Sequence, residues 1–87
     1  MIRAYLADDE ALAREGLRLR LAAAPDVEIV GEAATGREAV EGILTLRPDL
    51  VFLDIEMPAL NGFEVIAAVS AEHLPRVIFV TAFDQYA

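Results

Sequence analysis

The chain has 87 residues, of which 56% are hydrophobic, and fifteen acidic residues against seven basic ones give a formal net charge of −8. This length allows one domain at most, and the apolar content excludes a disordered chain. The negative charge disfavours direct contact with nucleic acid or an anionic membrane surface, and the absence of cysteine excludes disulfides and thiolate metal sites.

The sequence shows no targeting or membrane-spanning segment. The apolar stretch at residues 4–7 is followed at once by three acidic residues, which is not the pattern of a signal peptide. The longest uncharged apolar runs, residues 65–71 and 77–83, are much shorter than the roughly 18 residues that a membrane helix needs. We therefore expect a soluble, cytoplasmic domain.

The first third of the chain predicts a strand, a helix and a second strand. Residues 2–7 form a short apolar run, which is typical of a buried strand. Residues 11–24 contain strong helix formers and no β-branched residue, so they predict a helix that ends before Pro25. Residues 27–33 are rich in valine and isoleucine and predict the next strand.

The same alternation continues to the end. Thr35 and Glu38 have the spacing of a capping box before a helix that ends near Leu46, and residues 50–53 form an apolar strand that ends in Asp54. A third helix follows, and residues 76–81 predict a fourth strand.

The pair at residues 61–62, Asn-Gly, leaves an alternative open. This pair is also typical of a hairpin turn. The helical spacing of the apolar residues downstream favours the helix. The resulting order βαβαβαβ predicts an α/β fold with a parallel sheet and helices on both faces.

Polar residues follow three of the predicted strands. Asp8 and Asp9 follow the first, Asp54 ends the third, and Thr81 and Ala82 end the fourth. Because ligands bind at the carboxyl ends of strands in an open α/β sheet, we expect these groups to converge.

Crowded carboxylates resist ionisation unless a cation compensates them, and Mg²⁺ suits them because it prefers oxygen ligands. With the metal bound, the Asp54 carboxylate could act as a nucleophile toward a phosphoryl group. Each feature alone has an ordinary explanation, such as a solvated turn or acids at a helix start. Their occurrence at three strand ends is what favours a site.

These motifs together resemble the receiver domains of bacterial two-component response regulators along the whole chain. The residues that carry the resemblance are Ala7-Asp8-Asp9-Glu10, Leu53-Asp54-Ile55-Glu56-Met57-Pro58, Asn61-Gly62 and Val80-Thr81-Ala82-Phe83. Residues 12–17 and 81–87 look most like regulators with a LytTR-type DNA-binding domain. The resemblance implies a flavodoxin-like, doubly wound parallel sheet, in which the four strands take the order 2-1-3-4, formed by one domain at residues 1–87.

The resemblance also implies residue roles and partners. Mg²⁺ would be bound by Asp9, Asp54 and the backbone carbonyl of Glu56, with Asp8 assisting through water. Asp54 would take its phosphoryl group from a sensor histidine kinase, so the domain would be a switch rather than an ordinary enzyme. Thr81 would hydrogen-bond the phosphorylated side chain, and the small Ala82 would leave access for phosphoryl transfer.

The sequence departs from the family pattern in one respect. Receivers have a fifth strand that ends in a lysine, followed by further helices, and the 87 residues contain no lysine at all. We therefore expect weak phosphorylation without normal switching. Residues 77–80 would form an apolar edge strand, which invites self-association.

Two other functions share parts of this sequence pattern. A truncated or pseudo-receiver would act only as a protein-interaction module and would keep the same fold. A phosphatase of the haloacid-dehalogenase type is disfavoured, because Glu56 stands where that family requires an aspartate.

Overall fold

A computed structural model describes residues 1–80 of the chain, so Thr81 and Ala82 lie outside the described part. The elements are β1 (Ile2–Ala7), α1 (Ala11–Leu21), β2 (Val27–Ala33), α2 (Gly36–Leu46), β3 (Leu50–Asp54), α3 (Gly62–Ala68) and β4 (Arg76–Val80). Within residues 1–80, no helix is long and apolar enough to cross a membrane.

The four strands form one parallel sheet in the order β2-β1-β3-β4, which confirms the predicted fold. β1 lies in the centre and pairs with β2 on one side and β3 on the other. In register, Ala7 lies opposite Ala33 and Leu53, and Asp54 lies opposite Val80. The carboxyl ends of all four strands therefore meet at one edge of the sheet.

The hydrophobic core lies mainly between the sheet and the α2–α3 layer. Alternate residues of β1 and β3 point to that side and are almost fully buried together with residues of α2 and α3. The members of this core cluster are Tyr5, Ala7, Ala33, Ala39, Ile43, Val51, Leu53, Met57, Val65 and Val69. Ala4 and Leu6 alternate to the opposite face, which α1 covers.

The predicted strands were close to the observed ones, but the first helix was predicted too long. α1 ends at Leu21, before the predicted end at Ala24. The reason is that the N–H groups of Ala23 and Ala24 donate to carbonyls three residues earlier, those of Arg20 and Leu21. This tighter hydrogen-bond pattern is common at a helix end.

The helix alternative for the Asn-Gly pair is confirmed. The Asn61 side chain accepts from the Glu64 N–H at 2.9 Å, and the Glu64 carboxylate accepts from the Asn61 N–H at 2.9 Å. This reciprocal capping box begins α3. At α2 the Thr35 hydroxyl accepts from the Glu38 N–H as predicted, whereas the Glu38 carboxylate accepts from the N–H of Ala34.

Within the described residues, β4 pairs only with β3 and forms one edge of the sheet. Ile78 and Phe79 are 46% and 38% exposed, on opposite faces of this strand. The ring of Phe79 contacts that of Phe63 in α3, with 5.1 Å between the ring centroids. The prediction of an apolar edge at residues 77–80 therefore holds for the described part of the chain.

Gly16 and Gly42, which lie in the interior of α1 and α2, provide a matched test of the packing. A Cβ on Gly42 in α2 would lie 2.1 Å from the Tyr5 hydroxyl oxygen, whereas a Cβ on Gly16 in α1 would meet no atom within 4 Å. We expect Gly42→Ala to lower the free energy of unfolding by about 1–2 kcal/mol, because the buried Tyr5 ring must shift. We expect Gly16→Ala to raise it by about 1 kcal/mol through helix propensity. Urea unfolding followed by circular dichroism measures both, and the same sign for both variants would contradict this packing.

Candidate functional site

Asp54 is the last residue of β3 and lies at the carboxyl edge of the sheet. The three residues before it are apolar, and the strand lies between β1 and β4. Asp54 itself is only 7% exposed. Its Oδ1 atom accepts a hydrogen bond from the Glu56 backbone N–H at 3.0 Å. The carboxyl is therefore buried and oriented by the backbone that follows it.

The end of the neighbouring central strand brings further carboxylates to the same edge. Asp8 is 5% exposed, and its Oδ1 accepts from the Glu10 N–H at 2.9 Å. Asp9 and Glu10 are exposed, and the three residues each offer a carboxylate oxygen within 4.8 Å of the others. Asp9 also lies close enough to Asp54 to raise the pKa of the Asp54 carboxyl.

Crowding and burial change the acidity of Asp54. The pKa of this carboxyl is raised from 3.8 to about 6, mainly by burial and also by the nearby carboxylates of Asp8 and Asp9, and the hydrogen bond from the Glu56 N–H acts in the opposite direction. The ionised form of Asp54 is thus disfavoured by its surroundings. A cation at this edge would remove that penalty.

The donor set fits Mg²⁺. All the side-chain donors are carboxylate oxygens, which are the ligands that this ion prefers, and no sulfur or imidazole ligand competes in this cluster. The structure places Asp54 near Asp8 and Asp9, but the group of carboxylates within 4.8 Å of one another consists of Asp8, Asp9 and Glu10 and does not include Asp54. Glu10 is not among the predicted metal ligands. The spacing of Asp8-Asp9-Glu10 was the available signal, but the turn that directs all three carboxylates to one point could not be foreseen.

The loop after β3 approaches Asp54 closely. A Cβ on Gly62 would lie 2.7 Å from the Asp54 backbone oxygen, and the Gly62 N–H donates to the Ile55 carbonyl at 2.9 Å. Ala59 has a positive φ of 70°, and the N–H of Leu60 donates across it to the Pro58 carbonyl at 2.8 Å. The loop is therefore folded back tightly beside the carboxylates.

Three parts of the predicted site stay predictions. Thr81 and Ala82 lie outside the described residues. For Glu56 the structure shows a hydrogen bond from its backbone N–H to Asp54, which does not test the predicted role of its carbonyl as a metal ligand.

A separate groove of about 630 Å³ lies at the amino ends of the strands, where it is lined by Ile2 and Ile78 among others. It lies at the opposite edge of the sheet from the carboxylates and has no part in this site.

Residues 4–87 match the family model described as the response regulator receiver domain. Among curated proteins, the chain is 49% identical over all 87 residues to the transcriptional regulatory protein BtsR of Salmonella typhi and 47% identical to that of Escherichia coli K12. The chain spans 36% of the length of each of these two relatives.

Solved structures give the same result. The response regulator domain of CheB from Thermotoga maritima has a TM-score of 0.86 and 39% identity, with 95% of this chain and 62% of that chain covered. The receiver domain of the NarL regulator from Mycobacterium tuberculosis has a TM-score of 0.86 and 40% identity, with 95% and 68% covered. A chain of the CheX–CheY–BeF3–Mg complex from Borrelia burgdorferi has a TM-score of 0.81 and 26% identity, with 98% and 66% covered.

The raised pKa of Asp54 predicts a pH-dependent effect of Asp54→Asn in metal-free protein. At about pH 4 the folded carboxyl is protonated and the unfolded one, with its pKa of 3.8, is only partly ionised, so the variant has its smallest effect at this end of the range. As the pH rises toward 6, the Asp54 carboxyl keeps its proton in the folded chain but loses it in the unfolded chain. The free energy of unfolding of the wild type therefore falls with rising pH, and the full loss is reached above about pH 7. We expect Asp54→Asn to stabilise the fold by about 1–2 kcal/mol at neutral pH, allowing for solvent screening at the mouth of the site.

Urea unfolding in the presence of a chelator, repeated from about pH 4 to about pH 8, measures this effect. Asp26→Asn is the matched control, because Asp26 is exposed and lies at the opposite edge of the sheet. An equal gain for Asp54→Asn at both ends of the pH range would contradict the proposed penalty.

Proposed function

The chain belongs to the response regulator receiver domain family, and we propose that residues 1–87 form one receiver domain that accepts a phosphoryl group on Asp54. The observation that carries this proposal is the buried, oriented carboxyl of Asp54 beside Asp8 and Asp9. The domain is a signalling module, and the one reaction that we assign to it is its own phosphorylation and dephosphorylation. The proposed donor is a phosphohistidine of a sensor histidine kinase.

In the proposed reaction, an oxygen of the ionised Asp54 carboxylate attacks the phosphorus of the phosphohistidine. The new O–P bond forms as the N–P bond breaks, and the electron pair of that bond stays on the imidazole of the donor. The Glu56 N–H holds one carboxylate oxygen and so fixes the direction of the other. Because little covalent chemistry is asked of the protein, orientation and charge neutralisation supply most of the rate.

We assign Mg²⁺ to the carboxylates of Asp8, Asp9 and Asp54 and to the backbone carbonyl of Glu56. The ion supplies neutralisation of the charge shared by the carboxylates and the incoming phosphoryl oxygens. Two observations support this assignment: the crowded all-oxygen donor set, and a solved relative whose complex contains BeF3 and Mg. Glu10 belongs to the same cluster and is a further candidate for an outer ligand.

Thr81 and Ala82 complete the proposal at the end of the fourth strand. The support for this part of the proposal is that Val80, which precedes Thr81 in sequence, lies opposite Asp54 in the sheet. We propose that the Thr81 hydroxyl donates to the phosphorylated side chain and that the small Ala82 leaves the approach to Asp54 open.

The output and location are proposed from the relatives. Curated relatives that match the whole chain are named transcriptional regulatory proteins, so we propose that phosphorylation controls a transcriptional output, of the LytTR type suggested by the sequence. A cytoplasmic location belongs to the same proposal. With a net charge of −8 this segment itself is not the part that would contact DNA.

Incubation of the 87-residue protein with Mg²⁺ and acetyl phosphate tests the proposal. We expect a mass increase of one phosphoryl group that requires Mg²⁺ and disappears in Asp54→Asn, and we expect slow labelling because the sequence contains no lysine. Intact-mass spectrometry follows the reaction. Asp26→Asn, whose carboxylate lies at the other edge of the sheet, should be labelled like the wild type.

Labelling that persists in Asp54→Asn would refute the assignment of the phosphoacceptor. If the wild type binds Mg²⁺ but accepts no phosphoryl group from acetyl phosphate or from a phosphorylated histidine kinase, the alternative of a pseudo-receiver that acts as an interaction module is correct. Fast and complete labelling would show that phosphorylation of this chain does not depend on a lysine.

Self-association through β4 is a second proposal, favoured by the exposure of Ile78 and Phe79 at an edge strand. We expect the average mass in size exclusion with light scattering to rise with protein concentration. Ile78→Lys should return it to the monomer value by placing a charge on the edge. Leu19→Lys changes a more exposed apolar residue on α1, away from the sheet edge, and should leave the association intact. A monomer at all concentrations would disprove this proposal.

A further inference from the structure

Arg14 in α1 connects the helix to the strand end that carries the acidic residues. Its Nη1 atom donates to the backbone carbonyl of Asp8 at 2.6 Å, and its Nε donates to the Glu32 carboxylate of β2 at 3.0 Å. The side chain is only 18% exposed. One guanidinium therefore ties together α1, β2 and the end of β1.

The Asp8 peptide is held on both sides. Its N–H donates to the Ala33 carbonyl at 3.0 Å, and its carbonyl accepts from Arg14. Its side chain in turn accepts from the Glu10 N–H at 2.9 Å. The peptide that begins the turn at residues 8–10 is therefore bonded to β2 through its N–H and to α1 through its carbonyl.

Glu32 fixes the arginine. Its carboxylate accepts from Arg14 with one oxygen and from Arg18 with the other. Arg18 is 42% exposed and contacts Glu32 without contacting Asp8. Both arginines bind Glu32, but only Arg14 also contacts the acidic turn, so Arg18 is a suitable control.

We propose that Arg14 is a positioning residue for the Mg²⁺ site, held in place by Glu32 and acting through the Asp8 carbonyl. This inference rests on the proposed function, because the site that it organises is the one assigned above. Arg14 itself is not a ligand and does not contact Asp54. Its part is to keep the β1–α1 turn in the shape that directs the Asp8 and Asp9 carboxylates at one point.

A positioning role and a simple charge effect predict opposite signs. Removal of a cation near a cluster of carboxylates strengthens the attraction for Mg²⁺ by Coulomb's law. Removal of a contact that orients the ligands weakens metal binding, typically tenfold or more. The direction of the change in Mg²⁺ affinity therefore separates the two explanations.

The experiment compares Arg14→Met, Arg14→Lys, Glu32→Gln and Arg18→Met with the wild type. Methionine keeps the apolar stem without a donor, and lysine keeps the charge but has a compact head that cannot bridge Asp8 and Glu32 together. Arg18→Met is the matched control. Calorimetric titration with Mg²⁺ gives the affinity, and amide exchange by NMR in chelator reports the metal-free turn.

We expect Arg14→Met and Arg14→Lys to weaken Mg²⁺ binding roughly tenfold, Glu32→Gln less, and Arg18→Met less than twofold. In metal-free protein the amides of Asp8 and Glu10 should exchange roughly tenfold faster in the two Arg14 variants, while core amides of β3 stay protected. Tighter Mg²⁺ binding by Arg14→Met, or unchanged exchange at both amides, would overturn the inference.

The exchange measurement needs neither metal nor phosphorylation. If the wild type binds no Mg²⁺, the metal assignment under the proposed function is refuted, while exchange at the two amides still decides whether Arg14 holds the turn. If phosphorylation fails but Mg²⁺ affinity falls in the Arg14 variants, the positioning role stands without the phosphoacceptor function.

Discussion

Several carboxylates repel one another at the carboxyl edge of the sheet, and the rest of the structure holds them together against this repulsion. Asp8 and Asp54 are both buried there, and burial together with the neighbouring carboxylates of Asp8 and Asp9 raises the pKa of Asp54. Such an arrangement costs free energy in the absence of a cation. It is retained because β1 is buried on both faces and β3 buries Val51 and Leu53 in the core, so these two strands cannot move apart without exposing apolar side chains.

The parallel topology of the sheet brings the acidic residues together at one edge. Each strand enters from the opposite edge and ends at the same edge, so residues 8 and 54 meet although 45 residues separate them in sequence. Backbone contacts then orient the side chains, with the Glu10 and Glu56 N–H groups each donating to a carboxylate two residues earlier. The fold therefore brings the carboxylates close together, and the hydrogen bonds of the turns orient them.

The elements and the main acidic residues could be predicted from the sequence because they depend on local patterns. Apolar runs located β1 and β2, and the helical spacing after Asn61 correctly favoured a helix over a hairpin. What depends on contacts between elements could not be predicted. The bridge from Arg14 to Asp8 and Glu32 requires knowing how α1 lies across two strands, and no local pattern marks it. The positive φ of Ala59 was equally hidden, since a glycine or asparagine is the usual signal for such a position.

The central position of β1 has a consequence for how the chain forms during synthesis. β1 leaves the ribosome before β2 and β3, with which it pairs on its two sides, and β3 ends only at Asp54. At the usual rate of synthesis, roughly 5–20 residues per second, β1 is made about 2–10 s before its second partner is complete. During that interval the apolar strand has one side without its final neighbour, so nascent chains of this length are exposed to misassembly until the middle of the sheet closes.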